Sequence, residues 1–233
     1  MAAISADTQL EDGDEYPPEL ARLPPGKHGL PREFVVHNQR ERLIAGLAAA
    51  LAENGYAGTT IARIARHAAV SKRTFYEHFG SKEECFVAAY DMVMAQLCER
   101  AGQAFEREGE WPQAVRAGIV TMLRFLAADP TFARLCTVEA LVAGRVAVER
   151  YDSAVESFVP YFQSGREGRS PEVLSRLSPA TEEALVGGVI SLISRRIVAG
   201  KANQLEGLLP DLVEFTLMPY LGSEEAAAVA RAH

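Results

Sequence analysis

What this sequence has little of bounds it first. It holds 3 cysteines in 233 residues, and Cys85, Cys98 and Cys136 form no CxxC pair. That spacing offers neither a disulfide framework nor a paired-thiolate metal site, and it suits a reducing cytoplasm. β-branched runs with period two are absent, which argues against a sheet protein. No apolar run approaches the ~20 residues that span a membrane, so a membrane partner is not expected. The N-terminus is acidic and lacks an apolar signal core, so export is not expected either. GxGxxG after a strand, GxxxxGK[ST], HExxH and paired ExxH motifs are all missing, which removes the usual nucleotide-binding and helix-borne metal chemistries. Glu77 and His78 are adjacent rather than at ligand spacing. No Ser/His/Asp set presents itself, so the expectation is no catalytic residue, no metal, no cofactor and no enzyme.

What is present points to helices. The chain is rich in Ala, Leu, Val, Glu and Arg, a mix that favours helix, and it is long enough for one fairly large domain or two small ones with a core that needs no disulfides. The fold class read from this is all-α. The net charge of −7 is unevenly spread. Residues 1–35 carry 3 basic and 7 acidic side chains (net −4), residues 36–90 carry 7 and 5 (net +2), and residues 91–233 carry 14 and 19 (net −5). The one net-positive segment is where a nucleic-acid partner is to be sought.

That segment contains Thr59 to Lys82, TTIARIARHAAVSKRTFYEHFGSK. Ile61, Ile64, Ala65 and Ala68 share one helical face, and Phe75 and Phe79 share another. Ala69, Val70 and Ser71 between them leave room only for a tight turn. Two short helices so joined are a helix-turn-helix, whose second helix can enter the major groove of DNA. The apolar residues hold the unit together and leave Lys72, Arg73, Thr74, Tyr76 and His78 outward, all able to donate to phosphates or base edges. Lys72 and Arg73 suit guanine O6 and N7; Thr74 and Tyr76 suit phosphates. Tyr76 also has a plainer reading as partial core, and His78 as a structural hydrogen-bonder. Thr59 or Thr60 caps the first helix of the pair, and that cap is a candidate phosphate contact as well as a structural one. Ser71 caps the second, and Ser81 with Glu84 forms a capping box for the next helix. Ala69 stands where a left-handed turn residue is expected; an alanine there costs on the order of 1 kcal/mol.

Residues 1–30 read as a disordered arm, acidic at Glu11, Asp12, Asp14 and Glu15, proline-rich at positions 17, 18, 24 and 25, and basic near Arg22, Lys27 and His28. The arm is either a solvated leader or an element that reaches a DNA groove. A first helix follows from about Arg32, with Pro31 suiting its first turn, to Asn54, with Val36, Leu43, Ile44, Leu47 and Leu51 as its buried stripe. Gly55 suits its C-terminal turn, with Tyr56 folding back.

The order Gly55-Tyr56, Thr59-Thr60-Ile61, Ile64-Ala65, Val70-Ser71, Thr74-Phe75-Tyr76, His78-Phe79 and Ser81-Lys82 resembles the DNA-binding domain of the TetR/AcrR family of bacterial transcription regulators. The resemblance covers roughly residues 36–90; Ala69 and the long N-terminal arm depart from it. It implies a three-helix helix-turn-helix domain at 31–80, a larger helical ligand-binding and dimerisation domain at 81–222, and a C-terminal tail at 223–233. It also implies that Lys82, at the start of the fourth helix, meets a phosphate, beside Lys72, Arg73, Thr74, Tyr76 and His78 on the recognition helix.

Beyond it, helices are expected at Lys82–Glu106, Pro112–Ala128, Thr131–Gly144 (with Phe132, Leu135, Leu141 and Val142 as its stripe) and Val146–Gln163. A mobile connection is expected at Gly165–Pro179, and final helices at Ala180–Gly200 and Gln204–Leu221. The fourth helix belongs to both halves and can act as a lever. The implied ligand cavity would draw on Phe105, Met122, Phe125, Cys136, Glu139, Phe158 and Phe162, although an apolar stripe at helical spacing is more often simply core. Glu139 should point inward, either paired with an arginine such as Arg145, Arg124 or Arg116, or receiving a ligand. Cys136 is a small core residue or a redox sensor. Val186, Val189, Ile190, Ile193, Ile197, Leu212 and Phe215 would form a dimer interface, with Gly187, Gly188, Ser191 and Ser194 small enough for a close approach; the alternative is closure of the monomer's own core. The function implied is a cytoplasmic homodimer that binds a pseudo-palindromic double-stranded operator and, as a repressor, is released by a small-molecule effector. The alternatives are a ligand-dependent activator, or a helical small-molecule-binding or catalytic protein with a vestigial helix-turn-helix.

Overall fold

A computed structural model describes residues 32–232; the expected arm at residues 1–30, and Pro31, lie outside them. Among the described residues there is no strand. The first helix, α1 (Arg32–Gly58), buries Leu43, Leu47 and Leu51, whereas Val36 is 44 % exposed, so the buried stripe is shorter than its periodicity suggests. Gly55 interrupts α1 at φ 61° and ψ 178°, a conformation that glycine adopts without strain. One more turn follows before α2 (Ile61–His67) and α3 (Lys72–His78). Leu43, Leu47, Ile64, Phe75, Phe79 and Phe86 close these helices over a single core. Gly46 lets α2 lie against α1, since a Cβ there would come within 2.7 Å of the Ile64 carbonyl oxygen.

Helix α4 (Lys82–Glu106) leaves this unit and runs through the rest. It is followed by α5 (Trp111–Ala128), α6 (Pro130–Thr137), α7 (Arg145–Glu156), α8 (Val159–Gln163), α9 (Pro171–Arg176), α10 (Thr181–Val198), α11 (Leu209–Leu221) and α12 (Ser223–Arg231). The N-terminal core does not stop at residue 80. It continues through Phe86 and Tyr90 on α4 to Leu135 and Ala147 on α6 and α7. A second core joins α5, α10, α11 and α12 through Leu123, Ile193, Leu212 and Ala226.

Four expectations are corrected here. The helix expected to reach Gly144 stops at Thr137; a 3-10 turn at Glu139–Leu141 follows, and Leu141 and Val142 are 51 % and 63 % exposed. Gly144, at φ 125°, completes the break. The helix expected over Val146–Gln163 divides after Glu156, because Pro160 has no N–H to return to that residue's carbonyl. The segment expected to be a mobile connection contains α9, and Arg166 within it is tied to the buried Glu182 by bonds of 2.7 and 2.9 Å. Gly165 packs so closely on Trp111 that a Cβ would lie 2.2 Å from the ring. Finally, residues 223–231 of the expected tail are helical, with Ala226 and Ala230 buried. Small apolar residues on one face of a short helix gave that segment too weak a signal to recognise. Among the described residues no helix is long and apolar enough to cross a membrane.

Candidate nucleic-acid interface and ligand cavity

The helix-turn-helix is built from local capping. The Thr60 hydroxyl accepts from the Arg63 amide at 3.3 Å and the Ser71 hydroxyl from the Thr74 amide at 3.0 Å. Ser81 accepts from the Glu84 amide at 3.0 Å, while the Glu84 carboxylate returns to the Gly80 amide at 2.7 Å, one residue earlier than a capping box requires. Ala69 has φ 50°, the left-handed conformation that costs an L-residue roughly 1 kcal/mol. The Arg42 guanidinium donates to the carbonyls of Ala68 at 2.5 Å and Ala69 at 3.0 Å, so α1 grips this turn from below.

With Phe75 and Phe79 wholly inside, α3 turns Lys72, Arg73 and Tyr76 to solvent. Arg73 is 88 % exposed and held by Glu77 at 3.1 Å, which orients its guanidinium without burying it. Tyr76 is 59 % exposed with its ring edge-on to Phe75, so the partial-core reading does not hold. Thr60 and Ser71 are exposed at the two helix starts, and the half-buried Thr74 has its hydroxyl 2.9 Å from that of Ser71. The half-buried His78 donates from Nε2 to Gln39 Oε1 at 3.0 Å; burial first, then the Arg40 charge, lowers its pKa and favours the neutral ring.

Two of the expected contacts are placed differently. Thr59 is 2 % exposed, and its hydroxyl donates to the Gly55 carbonyl at 2.8 Å, closing the kink of α1; it is not available to a phosphate. The Lys82 ammonium donates to the carbonyls of Tyr56 at 2.8 Å and Thr59 at 3.0 Å and lies 3.8 Å from the centre of the Tyr56 ring. It serves the joint between α1 and α4. Burial lowers its pKa. Arg40 was missed by sequence reading: it sits 4.6 Å over the Phe79 ring beside His78. Its place three residues before Leu43, on the rim of the buried stripe, was the available signal.

The larger half holds two small apolar voids. One, of about 50 Å³, is lined by Phe105, Met122, Phe158 and Phe162 among others. The second, of about 40 Å³, is lined by Tyr90, Met94, Met122, Cys136 and Phe158 among others. An open groove of about 1020 Å³ lies outside them, between α7–α8 and α10. Phe125 lines neither void; its ring packs under the Arg100 guanidinium at 5.5 Å. Burial pushes the Cys136 thiol up to about 12, which suppresses the thiolate that a redox sensor needs.

Glu139 is inward, at 4 % exposure, but it does not reach the voids. Its carboxylate accepts from Arg134 at 2.8 Å and from the Tyr56 amide at 2.8 Å, so it fastens the 3-10 turn to the end of α1. The three arginines expected as partners are used elsewhere: Arg124 on Glu206, Arg145 on Glu149, Arg116 on the Ala232 carbonyl. A second carboxylate makes a parallel link, Glu83 at the start of α4 accepting from the Val146 amide at 3.0 Å.

The expected dimer residues divide. Val186, Val189, Ile193, Ile197 and Leu212 are at most 4 % exposed, buried within the chain's own second core, because α10 packs inward against α6, α8 and the 3-10 turn at Ala202–Leu208. Ile190 is half-buried and Phe215 is 41 % exposed. The apolar residues that α10 and α11 present outward are Leu192, Val198, Phe215 and Met218.

Residues 43–89 match the family model of the bacterial regulatory proteins, tetR family. The match runs from the middle of α1 through the helix-turn-helix into the start of α4. The nucleoid occlusion factor SlmA of Vibrio cholerae is 28 % identical over 106 residues, 45 % of this chain and 54 % of that protein. SlmA of Serratia proteamaculans is 28 % identical over 112 residues, 48 % of this chain and 57 % of its own length. The chain therefore spans about half the length of the curated relatives it matches. Among solved structures, the fatty acid degradation regulator FadR from Bacillus halodurans superposes with a TM-score of 0.67 at 14 % identity, covering 80 % of this chain and 96 % of that one. FadR from Bacillus subtilis in complex with stearoyl-CoA gives 0.61 at 17 %, covering 78 % and 98 %. Over about four fifths of its length the chain thus shares the fold of these regulators, with the helix-turn-helix leading into the larger helical half.

Proposed function

We propose that this chain is a non-enzymatic, cytoplasmic transcription regulator that binds a pseudo-palindromic operator as a homodimer and is released from it by a small molecule. The observation that carries the reading is α3: its apolar side is fully consumed by the core, and Lys72, Arg73 and Tyr76 are exposed on the other. Arg73 and Lys72 read base edges, while Thr60, Ser71, Thr74 and Tyr76 meet phosphates. His78, its one N–H committed to Gln39, braces α3 against α1, and Lys82 acts by holding α4 to the turn after α1. Two copies joined through the outward faces of α10 and α11, centred on Phe215, would set their α3 helices about one helical turn of DNA apart, ~34 Å.

Release follows from how α6 is placed. Cys136 on one side of it lines a void, and Arg134 on another holds the Glu139 carboxylate that grips the Tyr56 amide. A ligand that shifts α6 loosens the grip and changes the angle of the helix-turn-helix. By linkage, DNA weakens ligand binding by the same factor. Selection of bound sequences from a random duplex library, followed by titration, tests the proposal. An enriched inverted repeat is the expected result. Failure to enrich any duplex at moderate salt would instead favour a helical ligand-binding protein. Reporter expression with the gene deleted separates repression, which is expected, from activation.

A further inference from the structure

The two voids share Met122 and Phe158 in their linings, so these side chains stand between them. Methionine has three rotatable bonds and changes rotamer at low cost. Moving Met122 joins spaces of about 50 and 40 Å³ and adds the volume of its own side chain. For scale, a dry cavity of about 150 Å³ holds benzene. The groove outside lies against the smaller void, since Tyr151, Val155 and Ile190 line both.

No charged side chain lines either void. An ionised ligand group would therefore lie there without a counter-charge, at a desolvation cost that nothing offsets. The Thr137 hydroxyl is committed to the Ala133 carbonyl at 2.7 Å. Tyr90 differs. It is 2 % exposed, it lines the void, and among the described residues its hydroxyl has no hydrogen-bond partner. A phenol hydroxyl that makes no bond within the chain can donate to a ligand that reaches it. Its surroundings keep it protonated: burial raises its pKa strongly, and Cys136 and Tyr151 add to the rise.

We infer that the joined voids are a chamber for an uncharged, largely apolar molecule that carries a hydrogen-bond acceptor, such as a ketone or ester carbonyl, to which the Tyr90 hydroxyl donates. This rests on the effector reading and gives that effector a chemical class. Any charged part of a larger ligand stays in the outer groove.

Three probes of nearly one shape test it: acetophenone, its hydrocarbon analogue α-methylstyrene, and benzoate. The full-length protein is labelled with ¹³C-methyl methionine and titrated with each. Met94 and Met122 report on the chamber, and Met218 on α11 is the control. Acetophenone should shift the Met94 and Met122 resonances and leave Met218 alone. α-Methylstyrene should bind roughly tenfold more weakly, the worth of one hydrogen bond, and benzoate should shift neither. Tyr90→Phe should abolish the preference for the ketone while leaving the melting temperature unchanged or higher. The inference is overturned by equal affinity for ketone and alkene, by a preference that survives in Tyr90→Phe, by binding of benzoate, or by no response to any probe. Operator affinity is measured alongside. If acetophenone fills the chamber and DNA is still held, the chamber stands and the effector reading fails. If DNA is released without methionine shifts, the effector reading stands and the chamber fails.

Discussion

Helices α3 and α10 both offered the sequence a face to bind with, and the structure treats them in opposite ways. On α3 the residues assigned to a partner are outside: Arg73 is 88 % exposed and Tyr76 59 %. On α10 they are inside: Val186 is 2 % exposed, Ile193 1 % and Ile197 2 %. The difference lies in the chemistry of the residues assigned. Polar donors opposite an apolar stripe have no reason to be buried, so periodicity alone places them at the surface. Apolar residues suit the interior of one chain and the seam between two equally well, and periodicity cannot separate these. A short helix with one apolar edge is therefore easier to assign a partner than a long helix apolar on several sides.

The contrast can be broken from either end. The largest effect is expected at Ile193→Asp. A carboxylate in place of a 1 % exposed isoleucine should cost about 4 kcal/mol or more, and thermal unfolding should show the loss even in dilute protein where a dimer has dissociated. If Ile193→Asp instead gives a stable monomer, α10 is an intermolecular face after all. Next is Glu139→Ala, which strips the Tyr56 amide and Arg134 of their acceptor; about 2 kcal/mol of stability should be lost in denaturant titration. The variant should also respond less to ligand in an operator-release assay. Arg73→Ala should leave the melting temperature within about a degree and weaken binding to the selected operator by about 2 kcal/mol in fluorescence anisotropy, with much less effect on random duplex. The smallest effect concerns His78. Its folded-state pKa lies below the ordinary 6.5, so the unfolded chain takes up the proton first. Its contribution is whole above pH 6.5 and lost as the pH falls through the lowered folded-state value. Denaturation at pH 7.5 and 5.5 should show His78→Gln losing less stability on acidification than the parent.

The parts of the fold that were legible rest on local signals. Thr60, Ser71, Ser81 and Asp129 each cap a helix start as their residue types dictate, and Gly55 ends a run where only a glycine fits. The parts that were not legible depend on partners distant in sequence. The inward position of Glu139 followed from its place on a stripe, but its use did not, because its second partner is a backbone amide 83 residues away. Thr59 and Thr60 are indistinguishable as candidate caps; only the kink at Gly55 decides that one turns in and the other out. Arg166 lies in a glycine- and serine-containing stretch that reads as a connection, yet its bidentate hold on Glu182, itself bonded to Tyr220 at 2.8 Å, makes that stretch part of the framework.

The grip of Arg42 on the turn between α2 and α3 has a consequence for how this protein can change over generations. Ala69 is held in a left-handed conformation by a guanidinium from another helix that engages its carbonyl. Were residue 69 to drift to glycine, the turn would form unaided and selection on position 42 would relax. Were Arg42 lost first, the alanine would keep its costly conformation with only the turn's own backbone bonds, from the Ala69 amide to Arg66 and the Val70 amide to Ala65, to secure it. The two positions should therefore change in one order more readily than in the other, so that among descendants an arginine lost at 42 should be found mainly where a glycine already occupies 69.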